Sequence, residues 1–241
     1  MVAEAIIEVV SRCRKEGYAL VGLSGRVADD LAWLESLLFA FGRPIHVFRR
    51  YPFWKPLAAD PTRPPGRSGG IGLNSLHIDC VNAEAPPDFV CLYCVRPDPL
   101  GGGTTLLAPL DGIAQYLTVK SLATLRASVF RDGTVCDLDY VGNDINPFAV
   151  HASDGWRWRY TGRLLETGAV PTNTEGYAAL LEFDRIMMSR CTGINLKAGQ
   201  AVVVDQRRAL HGRLPLSLGQ ADVPAAQRRL LLQAYSRDER R

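Results

Sequence analysis

Apolar positions along this chain change their period several times, and the changes mark out its elements. Between Val2 and Lys15, Ile6, Val9, Val10 and Cys13 recur at helical steps, which predicts an amphipathic helix with Gly17 as its stop. Tyr18 to Leu23 reads as a short strand. Asp29 and Asp30 then place negative charge at the start of a second helix that runs to Phe41, where Gly42 and Pro44 end it. Ile45 to Arg49 is a candidate strand. Phe89 to Val95 is a continuous apolar run of strand length, and Thr104 to Leu107 resumes extended structure after the glycine turn at Gly101 to Gly103. Leu110 to Arg126 is helical in two pieces that break near Thr118 and Val119. Val129 to Tyr140 suggests strand and turn. Val150 to Tyr160 reads as a hairpin about Asp154-Gly155, with Trp156, Trp158 and Tyr160 on one face and Arg157 and Arg159 on the other. An amphipathic helix spans Thr174 to Arg190, and strands at Ile194–Leu196, Ala201–Gln206 and Arg229–Tyr235 complete the pattern.

One stretch has no period at all. From Tyr51 to Asn74 the chain is rich in proline, glycine and arginine, and no regular element fits it. A loop of that length inside a compact domain is more often functional than idle, and this one leads straight to His77, so the reading assigns it a lid or substrate-entry role. With no repeat or linker to divide it, the chain is read as one domain over residues 1–241. Its class is mainly β with helical buttresses, a barrel-like or sandwich core.

Composition narrows the function. Hydrophobic residues make up 47% of 241 positions, enough for a full core, and the net charge of +3 comes without a basic run, so no nucleic-acid footprint is visible. Glu4 and Glu8 spoil any signal-peptide pattern and no apolar run reaches membrane-span length, which predicts a cytoplasmic protein with no membrane partner. The six cysteines are scattered, as reduced thiols would be. Cys91 and Cys94 formally make a Cys-x-x-Cys pair, but three residues apart on a strand they face opposite sides and read as core.

The candidate chemistry begins at His77-Ile78-Asp79. In an extended strand, residues two apart share a face, so an imidazole and a carboxylate can converge on one ion. A His-x-acid pair is weak evidence alone, since a strand-end histidine beside a solvated aspartate looks the same. His211, which closes an apolar strand at Gly212, offers a third ligand. Two histidines and one carboxylate with open coordination positions suit a non-haem Fe(II) centre. His46 and His151 read as ordinary strand histidines.

Four motifs in order, His77-Ile78-Asp79, Gly102-Gly103-Thr104-Thr105, Asp205 to Arg213, and Gln227 to Gln233, resemble those of the taurine dioxygenase and clavaminate synthase-like superfamily of Fe(II)/2-oxoglutarate oxygenases. The resemblance covers most of the chain. It implies a double-stranded β-helix (jelly roll, cupin-like), with Fe(II), 2-oxoglutarate and O2 as cofactor and cosubstrates and a small molecule as partner. It also implies metal ligation by His77, Asp79 and His211. Thr105, with Ala108 three residues on as in the family pattern, would help bind 2-oxoglutarate, and Arg229 would pair with its distal carboxylate; a register slip would put Arg228 there instead. An arginine's planar fork matches a carboxylate with two charge-assisted bonds. Four residues on, where relatives in the taurine and clavaminate branches carry a substrate-binding arginine, stands Gln233. Arg159 is a further substrate candidate. Related halogenases replace the carboxylate of the triad with a small residue, so the intact Asp79 points to hydroxylation or desaturation of a small polar metabolite, an amino acid or an intermediate of specialised metabolism. The rival readings are a non-catalytic jelly-roll binding protein and a cupin-type dioxygenase or isomerase that does not use 2-oxoglutarate. Oligomeric state is not legible.

Overall fold

The computed structural model describes residues 2–64, 68–83, 85–128, 130–131, 144–145, 148–152 and 155–239. Helix α1 (Val2–Glu16) stops at Gly17, whose φ of 87° is left-handed and natural only to glycine. After β1 (Tyr18–Gly22) comes α2 (Val27–Phe41). Asp30, in its first turn, accepts from the Ser24 and Gly25 amides, the Ser24 hydroxyl and the Tyr93 hydroxyl. Burial works against that carboxylate, but these donors outweigh it and hold its pKa below the usual range.

Next are β2 (Arg43–Ile45), β3 (Lys55–Ala58), β4 (Asn74–His77), β5 (Phe89–Arg96) and β6 (Thr105–Pro109). A single 3-10 turn at Ile113–Tyr116 precedes α3 (Val119–Ala127), which the Thr118 side chain caps by accepting from the Ser121 amide. Short strands β7 (Phe130–Arg131), β8 (Asp144–Ile145), β9 (Phe148–Ala152) and β10 (Gly155–Trp158) lead to α4 (Arg163–Glu166) and α5 (Glu175–Ser189). The chain then runs through β11 (Thr192–Ile194), β12 (Gln200–Asp205), β13 (Ala209–Arg213) and β14 (Leu230–Arg237).

Two antiparallel sheets carry the architecture. One has the order β1-β12-β5-β14-β2, with β3 also paired to β14; the other has the order β11-β6-β13-β4. Alternation decides what lies on each face. Along β5, Phe89, Cys91 and Tyr93 pack outward against Leu34, Leu37, Leu38 and Phe41 of α2, while Val90, Leu92 and Cys94 face Leu107 and Ala209 of the other sheet. The second sheet does the same in reverse: Leu76, Leu106, Ala108 and Leu210 meet Leu180, Phe183 and Met187 of α5 on its outer side. The resulting layers are helix, sheet, sheet, helix. His77 alternates with Leu76, and His211 with Leu210, so both imidazoles face the space between the sheets.

Several expectations change: the strand expected at Ile194–Leu196 lies at Thr192–Ile194, and the extended run read through Asp79 ends at His77. The aperiodic segment from Tyr51 to Asn74 contains β3, a strand of four residues whose regularity comes from pairing with β14 rather than from its own pattern. The strand expected at Ile45–Arg49 lies earlier, at Arg43–Ile45, and His46 turns away to place Nε2 2.6 Å from the Tyr51 carbonyl. The four-residue helix α4 was not expected. Most of the Val129–Tyr140 stretch, the turn residue Asp154 and the side chains of His151 and Trp156 lie outside the described residues, whereas Trp158 and Tyr160 are buried together against Phe183.

Candidate metal centre

His77 is the last residue of β4, and the next two positions are fixed by bonds to distant parts of the chain. The Ile78 amide donates to the Tyr160 carbonyl at 3.0 Å, and the Asp79 amide to Gln206 Oε1 at 2.6 Å. Gln206 is fully buried and is itself held by donating to the Pro87 carbonyl at 2.9 Å. Cys80 follows at φ 54°, the one non-glycine residue in the left-handed region among those described; backbone strain of this kind concentrates at functional sites.

On β13, His211 is the register partner of His77, so the two rings share a face with centroids 4.4 Å apart. Gly212 permits this close approach of β13 to β4: a Cβ there would lie 2.9 Å from the Asn74 carbonyl oxygen. His77 Nε2 is 3.6 Å from Asp79 Oδ1, and His211 Nε2 is 3.3 Å from Asp79 Oδ2. The His77 Nδ1 atom, 2.7 Å from the Ser75 carbonyl, donates its proton there, so in the neutral ring Nε2 is the nitrogen left free to ligate a metal. One ligand-capable atom from each of the three residues lies within 4.8 Å of the others, and among the described residues this is the one such group of three.

The electrostatics follow from burial and proximity. Desolvation pushes the Asp79 carboxyl up, but the two imidazoles, His211 above all, hold it far below the usual range. Burial lowers both histidines. For His77 the Asp79 hydrogen bond and charge and the Ser75 carbonyl outweigh burial and raise it; for His211 burial and the neighbouring His77 prevail. Two neutral imidazoles and a carboxylate on one side of a space are a donor set for a divalent transition metal.

A second row of residues borders the same space. Arg229, only 9% exposed, has no hydrogen-bond or ion-pair partner for its guanidinium among the described residues, and burial brings its pKa down to about 10. Its neighbour Arg228 instead donates from Nε to the Val223 carbonyl at 2.8 Å. Gly103 makes room for the Arg229 stem. At φ 76°, a Cβ on Gly103 would lie 2.5 Å from Leu216 Cδ2 and 3.3 Å from Arg229 Cδ. Thr105 is buried and lines the cavity, while the Thr104 hydroxyl turns to Asn195 Oδ1. Gln233 points inward, and its amide donates to Asp79 Oδ2 at 3.0 Å. The free space around these groups is about 40 Å³, and a separate cavity of about 260 Å³ lies beyond Arg229, against Gly101 to Gly103 and Lys197.

The structure thus brings His77, Asp79, His211, Thr105, Arg229 and Gln233 to one cavity. Arg159 is not among the residues lining either space; its Nη1 donates to the Ala83 carbonyl at 2.8 Å. Cys91 and Cys94 are both buried, on opposite faces of β5. Two groups inside the Asp205–Arg213 motif were given no role by the sequence reading. Gln206 is one. The other is Arg213, buried beside the centre with Nη2 donating to the Gly70 and Gly72 carbonyls at 2.7 and 2.8 Å. Only its place two residues after His211 hinted at it.

No protein-family model matches the chain. A curated relative, the L-asparagine oxygenase of Streptomyces coelicolor, is 26% identical over 146 residues, a stretch that covers 61% of this chain and 43% of the relative. Among solved structures, an asparagine oxygenase in complex with Fe(II), 2S,3S-3-hydroxyasparagine and succinate superposes with a TM-score of 0.76 at 19% identity, over 98% of this chain and 80% of the other. The non-haem iron oxygenase OrfP, in complex with iron and alpha-ketoglutaric acid, superposes with a TM-score of 0.70 at 15% identity, over 99% of this chain and 80% of the other. The chain thus shares the fold of these non-haem iron oxygenases, and it spans less than half the length of the curated relative it matches.

Proposed function

We propose that this protein is an Fe(II)- and 2-oxoglutarate-dependent oxygenase that hydroxylates a free amino acid or a closely related small polar metabolite. The observation that carries the reading is a buried guanidinium with no partner of its own, Arg229, on the cavity that also holds the His77, Asp79 and His211 donors. An unpaired buried cation is costly unless an anion is delivered to it, and the distal carboxylate of 2-oxoglutarate is such an anion. We read the two facing sheets as a double-stranded β-helix, residues 1–241 as one oxygenase domain, and the substrate as an amino acid because the relatives' complexes hold hydroxylated asparagine and arginine.

In this reading His77 and His211 offer Nε2 and Asp79 a carboxylate oxygen to iron, with Ser75 fixing the tautomer of His77 and Gln206 fixing the backbone of Asp79. Iron held by these residues together with 2-oxoglutarate would supply O2 activation, with one oxygen atom placed in succinate as CO2 is lost and the other inserted into a C–H bond of the substrate. Arg229 and Thr105 hold the cosubstrate's far end. Gln233 occupies one lone pair of Asp79 and limits how the carboxylate can rotate.

The segment 51–74 acts as a lid. Ser68, Gly69 and Asn74 border the metal cavity, whose 40 Å³ is far below the roughly 300 Å³ at which small-molecule sites begin, so the lid must move to admit substrate. The test is succinate release from 2-oxoglutarate by the iron-loaded protein, stimulated by one member of an amino-acid panel, with the product identified by mass. Absence of 2-oxoglutarate binding to the iron-loaded protein would overturn the reading.

A further inference from the structure

The inward row of β14 carries a cation at one end, Arg229, and a neutral amide at the other, Gln233. The neighbouring strand returns the charge. In the β3–β14 ladder, Leu57 opposes Leu231 and Lys55 opposes Gln233. Opposed residues of an antiparallel pair point to the same face, so Lys55 stands beside Gln233 on the side where Leu57, Leu231 and Gln233 border the metal cavity. Four residues of strand, about 13 Å, separate the Arg229 end of the row from the Gln233–Lys55 end.

Lys55 is held in an unusual way for a lysine. Its Nζ lies 3.8 Å from the Phe48 ring centroid and 5.6 Å from that of Tyr51, and among the described residues no carboxylate or carbonyl accepts a hydrogen bond from it. Aromatic faces stabilise an ammonium without consuming its three donors. Burial lowers its pKa and the nearby Asp79 works the other way; Asp79 is already engaged by two imidazoles and the Gln233 amide. The cation is therefore fixed, partly desolvated and still able to donate.

We infer that Lys55 binds the carboxylate of an amino-acid substrate at the end of the cavity opposite Arg229, and so selects which molecules the centre accepts. The inference rests on the oxygenase reading above and adds the substrate-recognition residue to it. It also revises what Gln233 alone suggests: the missing arginine does not make this end of the site neutral, because the cation comes from the adjacent strand. An ammonium is a point charge with rotatable donors and lacks the flat fork of an arginine, so shape selection here falls to Phe48, Tyr51 and Gln233.

The experiment uses the protein loaded anaerobically with Fe(II) and 2-oxoglutarate, whose visible charge-transfer absorption reports both cosubstrate binding and its perturbation by substrate. The probes are the twenty proteinogenic L-amino acids and their carboxamides. At least one free acid should shift the absorption and bind roughly tenfold or more tightly than its carboxamide. In Lys55→Met that preference should vanish while 2-oxoglutarate affinity and Tm hold, and Lys55→Arg should restore part of it. The inference is overturned if acid and carboxamide bind the unmodified protein equally, a comparison that needs no variant. It is also overturned if Lys55→Met keeps the preference, or if no amino acid binds although the absorption forms. Absence of the absorption itself would instead sink the oxygenase reading.

Discussion

Arg228 and Arg229 are adjacent in sequence and opposite in circumstance, and the difference can be measured. Arg229→Ala removes the unpaired buried cation and should cost about 2–5 kcal/mol of 2-oxoglutarate affinity, whereas Arg228→Ala, whose guanidinium serves loop carbonyls, should change that affinity little. Titration calorimetry of 2-oxoglutarate into the metal-loaded variants decides between them. At the triad, His211→Ala and Asp79→Ala should lose stoichiometric iron, while Gln233→Leu should keep the metal but weaken its binding roughly 10–100-fold, since it removes only the donor to Asp79 Oδ2. Metal content after dialysis is the readout. His77, Thr105, His211 and Gln233 were legible because each sits in a strand whose alternation fixes its face, and Asp79 and Arg229, just outside β4 and β14, because of motif spacing. Gln206, Arg213 and Lys55 were not. Gln206 reaches a backbone amide 127 positions away, Arg213 serves carbonyls of an aperiodic segment, and Lys55 matters only through its partner on β14.

Elements show the same division between local and long-range information. Helices α1, α2 and α5 fall within a residue or two of their expected limits, because period, caps and glycine stops are local signals. Strand β3 has no such signal: Lys-Pro-Leu-Ala is short, and its regularity depends on β14, far along the chain. The glycine turn before β6 is a local signal with a distant purpose. Gly103→Ala would force a left-handed φ on alanine and drive its Cβ into Leu216, destabilising the protein by about 1–3 kcal/mol and weakening 2-oxoglutarate binding through the displaced Arg229 stem. Chemical denaturation and cosubstrate titration should move together. At the start of α2, the Asp30 pKa is lowered in the folded state, so its stabilisation is present above the unfolded value of about 3.9 and is lost as pH falls through the folded value. The acid limb of Tm against pH should accordingly be flatter in Asp30→Asn than in the unmodified protein.

At the scale of the whole molecule, helices cover both outer faces of the paired sheets and leave the ends of the strands as the route inward. Arg213 anchors the segment that closes one end, through Gly70 and Gly72. Arg213→Met should leave the triad's iron in place yet raise hydrogen exchange over residues 68–74 and speed proteolysis there; unchanged exchange would argue against a latch. The sheet topology also has a temporal side. Strand β14, which follows every other strand in the chain, inserts between β5 on one side and β2 and β3 on the other. During vectorial synthesis its place stays open while the other strands are made. Arg229 and Gln233 follow His211 by only about twenty positions, so in the proposed enzyme the last metal donor and the cosubstrate residues join the fold in one late step, together with the strand that finishes the sheet.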